Sequence, residues 1–112
     1  MPRYLISFDD GAMIIPEEEL PAVSEASHKV VYEAKDAGVW IFGGGLLSQR
    51  ASIVATDGTV ADGPYPETKA VIGGFSIIEV PSREDALEWA ARIAAACRCA
   101  QEVREIMTDP DV

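Results

Sequence analysis

The chain has 112 residues, 48% of them hydrophobic, and carries nine basic against nineteen acidic side chains for a formal charge of −10. That length predicts one domain, over residues 1–108 with a loose tail at 109–112, and the apolar content excludes a disordered chain. The acidic balance repels phosphate backbones and anionic lipid headgroups, so nucleic acid and membrane surfaces are poor candidate partners, which leaves a small neutral or cationic ligand or a basic protein.

Residues 3–9, R-Y-L-I-S-F-D, alternate in character: Tyr4, Ile6 and Phe8 fall on one face and Arg3, Leu5, Ser7 and Asp9 on the other, which predicts a strand. No apolar segment of signal-peptide type precedes it. Asp10 and Gly11 turn the chain into a loop. Pro16 with three glutamates behind it suits a helical turn, but Pro21 is expected to break such a turn, so the main helix is placed at 21–37. Gly38 is its left-handed cap, and Val23, Val30, Ala34 and Ala37 form its buried stripe.

A strand over 39–47 follows, apolar on both faces, with Val39, Ile41 and Leu47 opposed to Trp40, Phe42 and Leu46. The uncharged run 37–49 that contains it is too short to cross a bilayer. Residues 51–56 and 59–62 read as a small hairpin closed by a two-residue Asp57-Gly58 turn. After a loop, 71–80 is the next strand, with Glu79 on the face of Phe75 and Ile77. Ser82 followed three residues later by Asp85 is a capping signature that opens the second helix. Its stripe is Ala86, Ala90, Ile93 and Cys97, and residues 100–107 make a last strand.

The fold class is therefore α+β: a ferredoxin-like split βαβ antiparallel sheet with two helices on one face and an extra small hairpin. Helices cover one sheet face, yet the strands at 39–47 and 71–80 are apolar on both. A second copy of the sheet is the simplest cover, which predicts a homodimer through the open face. Cys97 and Cys99 are too close for a default disulfide, and a cytoplasmic protein with reduced thiols is the simplest reading.

The stretch A-D-G-P-Y-P-E-T-K-A-V-I-G-G-F at 61–75 concentrates the candidate chemistry. Asp62, held at a strand end by Gly63 and Pro64, is either a general base or a turn-opening residue that accepts a backbone hydrogen bond. Tyr65 and Lys69 stand beside it. Gly73 and Gly74 remove side chains from both faces of the next strand, for a ligand or for a packed neighbour. His28 is the only histidine, so an imidazole acid–base step has to use it; by helical spacing it sits about 60° from Val31, beside the apolar stripe. Gly43, Gly44 and Gly45 lack the Gly-Lys-Ser/Thr context of a phosphate loop and point instead to close backbone approach or to space for a ligand. One histidine and a C-x-C lack the spacing of a metal site, and no nucleotide or flavin motif is present, so no cofactor is expected.

D-G-P-Y, P-E-T-K, I-G-G-F-S-I-I-E-V and S-R-E-D-A-L-E-W-A-A-R-I together resemble the YCII-related domain, in particular the branch with an Asp-Gly-Pro-Phe motif. R-Y-L-I-S-F, A-G-V-W and G-G-G-L-L match as well, so the resemblance spans nearly the whole chain. It implies a ferredoxin-like fold paired into a dimeric α/β barrel, with an activity that is largely unknown. It also implies small-molecule chemistry of acid–base isomerase or lyase type with a His/Asp pair near a pocket, or a regulatory binding module. The sequence departs from the pattern twice. Tyr65 stands for the motif's phenylalanine, and the family's histidine position falls on Ser27, one residue before His28. The resulting expectation is a cofactor-independent enzyme with Asp62 and His28 as its acid–base pair and Gly63, Pro64, Tyr65, Lys69, Gly73 and Gly74 around the ligand. The alternative is a non-catalytic ligand-binding or protein-interaction module.

Overall fold

The computed structural model describes residues 1–65 and 71–112. In chain order the elements are β1 (Arg3–Asp9), a 3-10 turn (Glu17–Glu19), α1 (Leu20–Asp36), β2 (Trp40–Gly45), β3 (Ser52–Val54), β4 (Val60–Asp62), β5 (Ile72–Glu79), α2 (Arg83–Cys97) and β6 (Glu102–Glu105). The main sheet is antiparallel and four-stranded in the order β2-β5-β1-β6, and β3 and β4 form a separate two-stranded sheet. The α+β expectation holds at this level: two βαβ units, β1-α1-β2 and β5-α2-β6, interleave so that β1 and β5 become the central strands.

Both helices lie on one face of the main sheet. Its core is Tyr4, Ile6, Ile78 and Val80 from the sheet side and Ala86 and Ala90 from α2, with Trp40, Trp89 and Ile93 packed round them. Small residues at 86 and 90 let α2 approach the strands closely, which is why these two alanines are buried while Leu87 on the flank is not. From α1, Val23 and Ala34 are buried as expected, but Ala37 is exposed because the helix ends at Asp36 and Ala37 is its C-cap. Gly38 follows with a φ of +75°, the left-handed conformation that glycine adopts at least cost. Ser82 caps α2 by accepting a hydrogen bond from the Asp85 amide at 3.2 Å.

Three local expectations change. The glutamates at 17–19 do form a turn, and Pro21 continues from it inside the first turn of α1, where a missing N–H costs nothing. In β2, Ile41 is an extra residue: Trp40 pairs with Ile78 and Phe42 with Ile77. The bulge reverses the alternation, so Trp40 joins the core under the helices while Phe42 lies on the open face against Phe75, ring centroids 5.9 Å apart. The hairpin is closed not by two residues but by a longer turn. The Gly58 amide donates to the Ala55 carbonyl and the Ala55 amide to Thr59, with Gly58 at φ +87°. This is the three-residue loop with a left-handed glycine, the next commonest solution after the two-residue one.

The body measures 46 × 42 × 18 Å. Its radius of gyration is 15.4 Å, where a compact chain of this length has about 13 Å. Two features account for the difference. One sheet face carries no helix, and Phe42 on it is 62% exposed. The β3–β4 hairpin also extends as an arm whose Ile53, Val54 and Val60 are all exposed. Among the described residues no helix is long and apolar enough to cross a membrane.

Candidate functional site

A cavity of about 420 Å³ opens between α1 and the helix-covered face of the sheet. Such a volume is within the range of small-molecule sites. One wall is α1, through Ser27, His28, Val30, Val31 and Lys35. Positions 28, 31 and 35 repeat at i, i+3 and i+7, so they make one stripe of the helix. The floor is sheet: Phe8 from β1, Gly43, Gly44 and Gly45 from β2, and Ser76 from β5. Ile93 and Cys97 of α2 and Gln101 close the far side, and Cys97 is buried.

The glycines of β2 create this floor. Gly43 pairs with Ser76 and Gly45 with Gly74, both on the helix side of the sheet, while Gly44 pairs with Phe75 and shares its side. A Cβ on Gly43 would lie 2.6 Å from the Phe75 carbonyl oxygen and 2.9 Å from the Trp40 ring, so no other residue fits there without a shift of the strands. Among the described residues a Cβ on Gly44 or Gly45 would meet nothing within 4 Å. At Gly45 the missing side chain therefore leaves room on the cavity side that no described neighbour fills.

Gly73 and Gly74 behave differently, and neither lines the cavity. Gly73 is the extra residue where Phe8 pairs with Gly74 and Asp9 with Ile72. Cβ atoms at 73 and 74 would sit 2.9 and 2.7 Å from the Phe8 ring. The ring of Phe8 therefore occupies the room that these glycines leave.

His28 is on the cavity wall and exposed. Its Nδ1 is 2.6 Å from the Ser24 carbonyl oxygen. A carbonyl only accepts, so Nδ1 carries the proton and Nε2 of the neutral ring keeps the lone pair. Ser27, the neighbouring position, also lines the cavity; its hydroxyl donates to the Val23 carbonyl at 2.9 Å. Both positions reach the space because α1 borders it at its edge, and a one-residue offset does not remove the imidazole from the wall.

Asp62 is elsewhere. It ends β4 on the arm, exposed, and accepts a hydrogen bond from the Ser52 hydroxyl across the hairpin at 2.5 Å. It is not among the cavity-lining residues, so within one chain it and His28 are not brought into one site. The motif after it is held as a turn. The Gly63–Pro64 peptide is cis, the Tyr65 hydroxyl donates to the Ala61 carbonyl, and the Tyr65 amide donates to Gln49 Oε1 at 2.6 Å. Lys69 falls outside the described residues.

Asp10 is the residue that ties this loop to the body, and the sequence reading did not single it out. It is buried, and its Oδ2 accepts from the Ser48 hydroxyl, the Gln49 amide and Gln49 Nε2 at 3.1, 3.2 and 2.9 Å. Gln49 takes a left-handed φ of 54° to make these contacts. Lys35 was missed for another reason: it sits at a polar helix position that reads as solvated surface. Among the described residues no group of three or more His, Cys, Asp or Glu could hold a metal ion. Burial raises the pKa of Cys97, with Cys99 adding to the effect, and burial likewise raises that of Cys99, so both thiols are less ionised than free cysteine.

The family model of the YCII-related domain matches residues 3–108, from the first residue of β1 to past the end of β6. The chain belongs to the YCII-related domain family. No curated protein matches it. The match spans every element that builds the cavity of this YCII-related domain, the α1 wall and the glycine floor included.

Proposed function

We propose that this YCII-related domain, of the Asp-Gly-Pro-aromatic branch, binds a small molecule in the α1–sheet cavity and works as a homodimer. Its ferredoxin-like sheets would pair through their open faces into a dimeric α/β barrel. The observation that carries the binding reading is the floor at Gly45, where a missing side chain leaves space that no atom of the described residues fills. The exposed Phe42 on the other face supports the dimer, because a lone apolar sheet face calls for a cover.

A second reading is acid–base catalysis of isomerase or lyase type without a cofactor. His28 favours it, since a neutral imidazole anchored through Nδ1 keeps Nε2 as a base at the cavity wall. Asp62 joins that reading only if the arm of a second copy carries it over the cavity; its hydrogen bond to Ser52 supports the turn role instead.

A thermal-shift screen of small molecules on wild type, Gly45→Leu, His28→Gln and Asp62→Asn tests both. Hits that stabilise wild type and Asp62→Asn but lose their effect in Gly45→Leu support binding in this cavity. Turnover of a hit that His28→Gln abolishes while binding survives supports catalysis. Hits indifferent to Gly45→Leu would remove the cavity from the account. A mass measurement by light scattering on wild type and Phe42→Glu tests the dimer, with a monomeric wild type as the result that overturns it.

A further inference from the structure

We infer that the cavity selects an anionic ligand: a small apolar or aromatic body bearing one carboxylate or similar group, which sits at the rim beside Lys35. The inference rests on the cavity-binding reading above and adds the ligand's charge. Nineteen of the 112 residues are Asp or Glu. Among the described residues no Asp or Glu lines the cavity, whereas Lys35 and His28 do. In a chain of net charge −10, a space whose described lining holds a lysine and no carboxylate is a place where a negative group meets no like charge in that wall.

The neighbours of Lys35 sharpen the point. Among the described residues Lys35 has no carboxylate within salt-bridge distance. Glu33, on the same helix, is paired with Arg92 of α2, whose guanidinium also lies over the Trp89 ring at 4.1 Å. Asp36 is next in sequence but about 100° round the helix, and it does not line the cavity. Remote acids are largely screened beyond about 8 Å at physiological salt, so the local cation sets the field at the rim.

The lining grades from polar to apolar. Lys35 and His28 are exposed, while Cys97 at the inner end is buried. Phe8 and Trp40 offer aromatic surface between them. Ser76 projects from the floor on the helix side, paired across strands with Ile6 and Gly43. Its hydroxyl has no hydrogen-bond partner among the described residues and is placed to donate to a polar group of the ligand. Charge outside and aromatic surface inside is the pattern that holds an amphipathic acid by its ring and fixes its head at the rim.

Three probes of one shape test this: 2-naphthoate, 2-naphthamide and 2-naphthylmethylammonium, titrated into the full chain and followed by the amide resonances of Gly43, Gly44, Gly45 and Ser76. The naphthoate is expected to bind about five- to tenfold more tightly than the amide, and the ammonium most weakly, as suits an ion pair at an exposed rim. Lys35→Gln should remove most of that preference, Lys35→Arg should keep it, and Lys29→Gln, off the cavity, should leave it unchanged. Raising the salt should narrow the gap between acid and amide. Equal binding of acid and amide, a preference for the ammonium, or a preference that survives Lys35→Gln overturns the anion inference and leaves the cavity as a binding site. No shift of these four resonances with any probe at millimolar concentration overturns both.

Discussion

The α1–sheet cavity and the β3–β4 arm both present apolar side chains, yet they use them in opposite ways. In the cavity Phe8, Trp40 and Ile93 converge on a space that glycine keeps open. On the arm Ile53, Val54 and Val60 are exposed, and the hairpin is held to the body at its root, where Asp10 gathers Ser48 and Gln49. The lesson concerns where motifs point. The densest motif of the chain, D-G-P-Y, builds the arm's return and its loop, while the cavity is made by glycines and by one face of α1.

Substitutions can break or sharpen that contrast, and Gly43→Ala should have the largest effect. Its Cβ would press on the Phe75 carbonyl, a backbone atom that yields only if β2 and β5 separate, so a loss of about 3 kcal/mol is expected in urea unfolding at fixed protein concentration. Gly44→Ala, one residue on, meets open space at a negative φ and should change stability by less than about 0.5 kcal/mol. A Gly43 variant as stable as Gly44→Ala would contradict the close β2–β5 approach.

Asp10→Ala comes next, at about 2 kcal/mol, because it strands three donors that now share one carboxylate oxygen. Amide exchange should rise on the arm side of Gln49, over residues 50–65, while the amides of β1 and β5 stay protected. Uniform loss of protection would mean that Asp10 supports the core rather than the arm. Gly74→Ala should cost about 1 kcal/mol, less than Gly43→Ala, because the closest atoms it meets are the far end of the Phe8 ring, which can turn aside, and the backbone it meets, the Gly44 carbonyl oxygen, is at 3.2 Å. Phe8→Leu in the same chain should recover that loss; no recovery would show that the ring is not what fills the space.

The smallest effects belong to exposed charge. Asp62→Asn should alter stability by less than about 0.5 kcal/mol, since its partner Ser52 and the carboxylate are both exposed. Glu79 is paired with Arg3 on the open face at 2.8 Å, and the Arg3 hydrogen bond lowers its pKa. A folded pKa below the unfolded one gives stability that is present above the unfolded value and lost as pH falls through the folded one. Glu79→Gln should therefore flatten the acid side of the stability profile slightly, and an unchanged profile would show that the pair contributes nothing.

Much of the architecture was legible because its signals are periodic or local. The alternation of Tyr4, Ile6 and Phe8, the Ala86/Ala90/Cys97 stripe and the Ser82 cap each follow from a few neighbouring residues. The β2 bulge was not, since Ile41 is as apolar as its neighbours and only pairing with β5 shows it to be the extra residue. The two glycine runs read alike for the same reason: whether a missing side chain leaves a cavity or seats a ring depends on Phe8, which is far from both in sequence. His28 was legible as a candidate from its uniqueness, whereas Lys35 owes its interest to a space that no local pattern describes and whose described lining holds no acid.

The turn that closes the arm has a practical use. Thr56, Asp57 and Gly58 are exposed, small or polar, and joined to strands that lean on little besides each other. A short insertion or a fluorescent label there should leave the sheet and the cavity undisturbed. It would give each molecule a beacon at the end of a lever, on which the proposed pairing of two copies could be read.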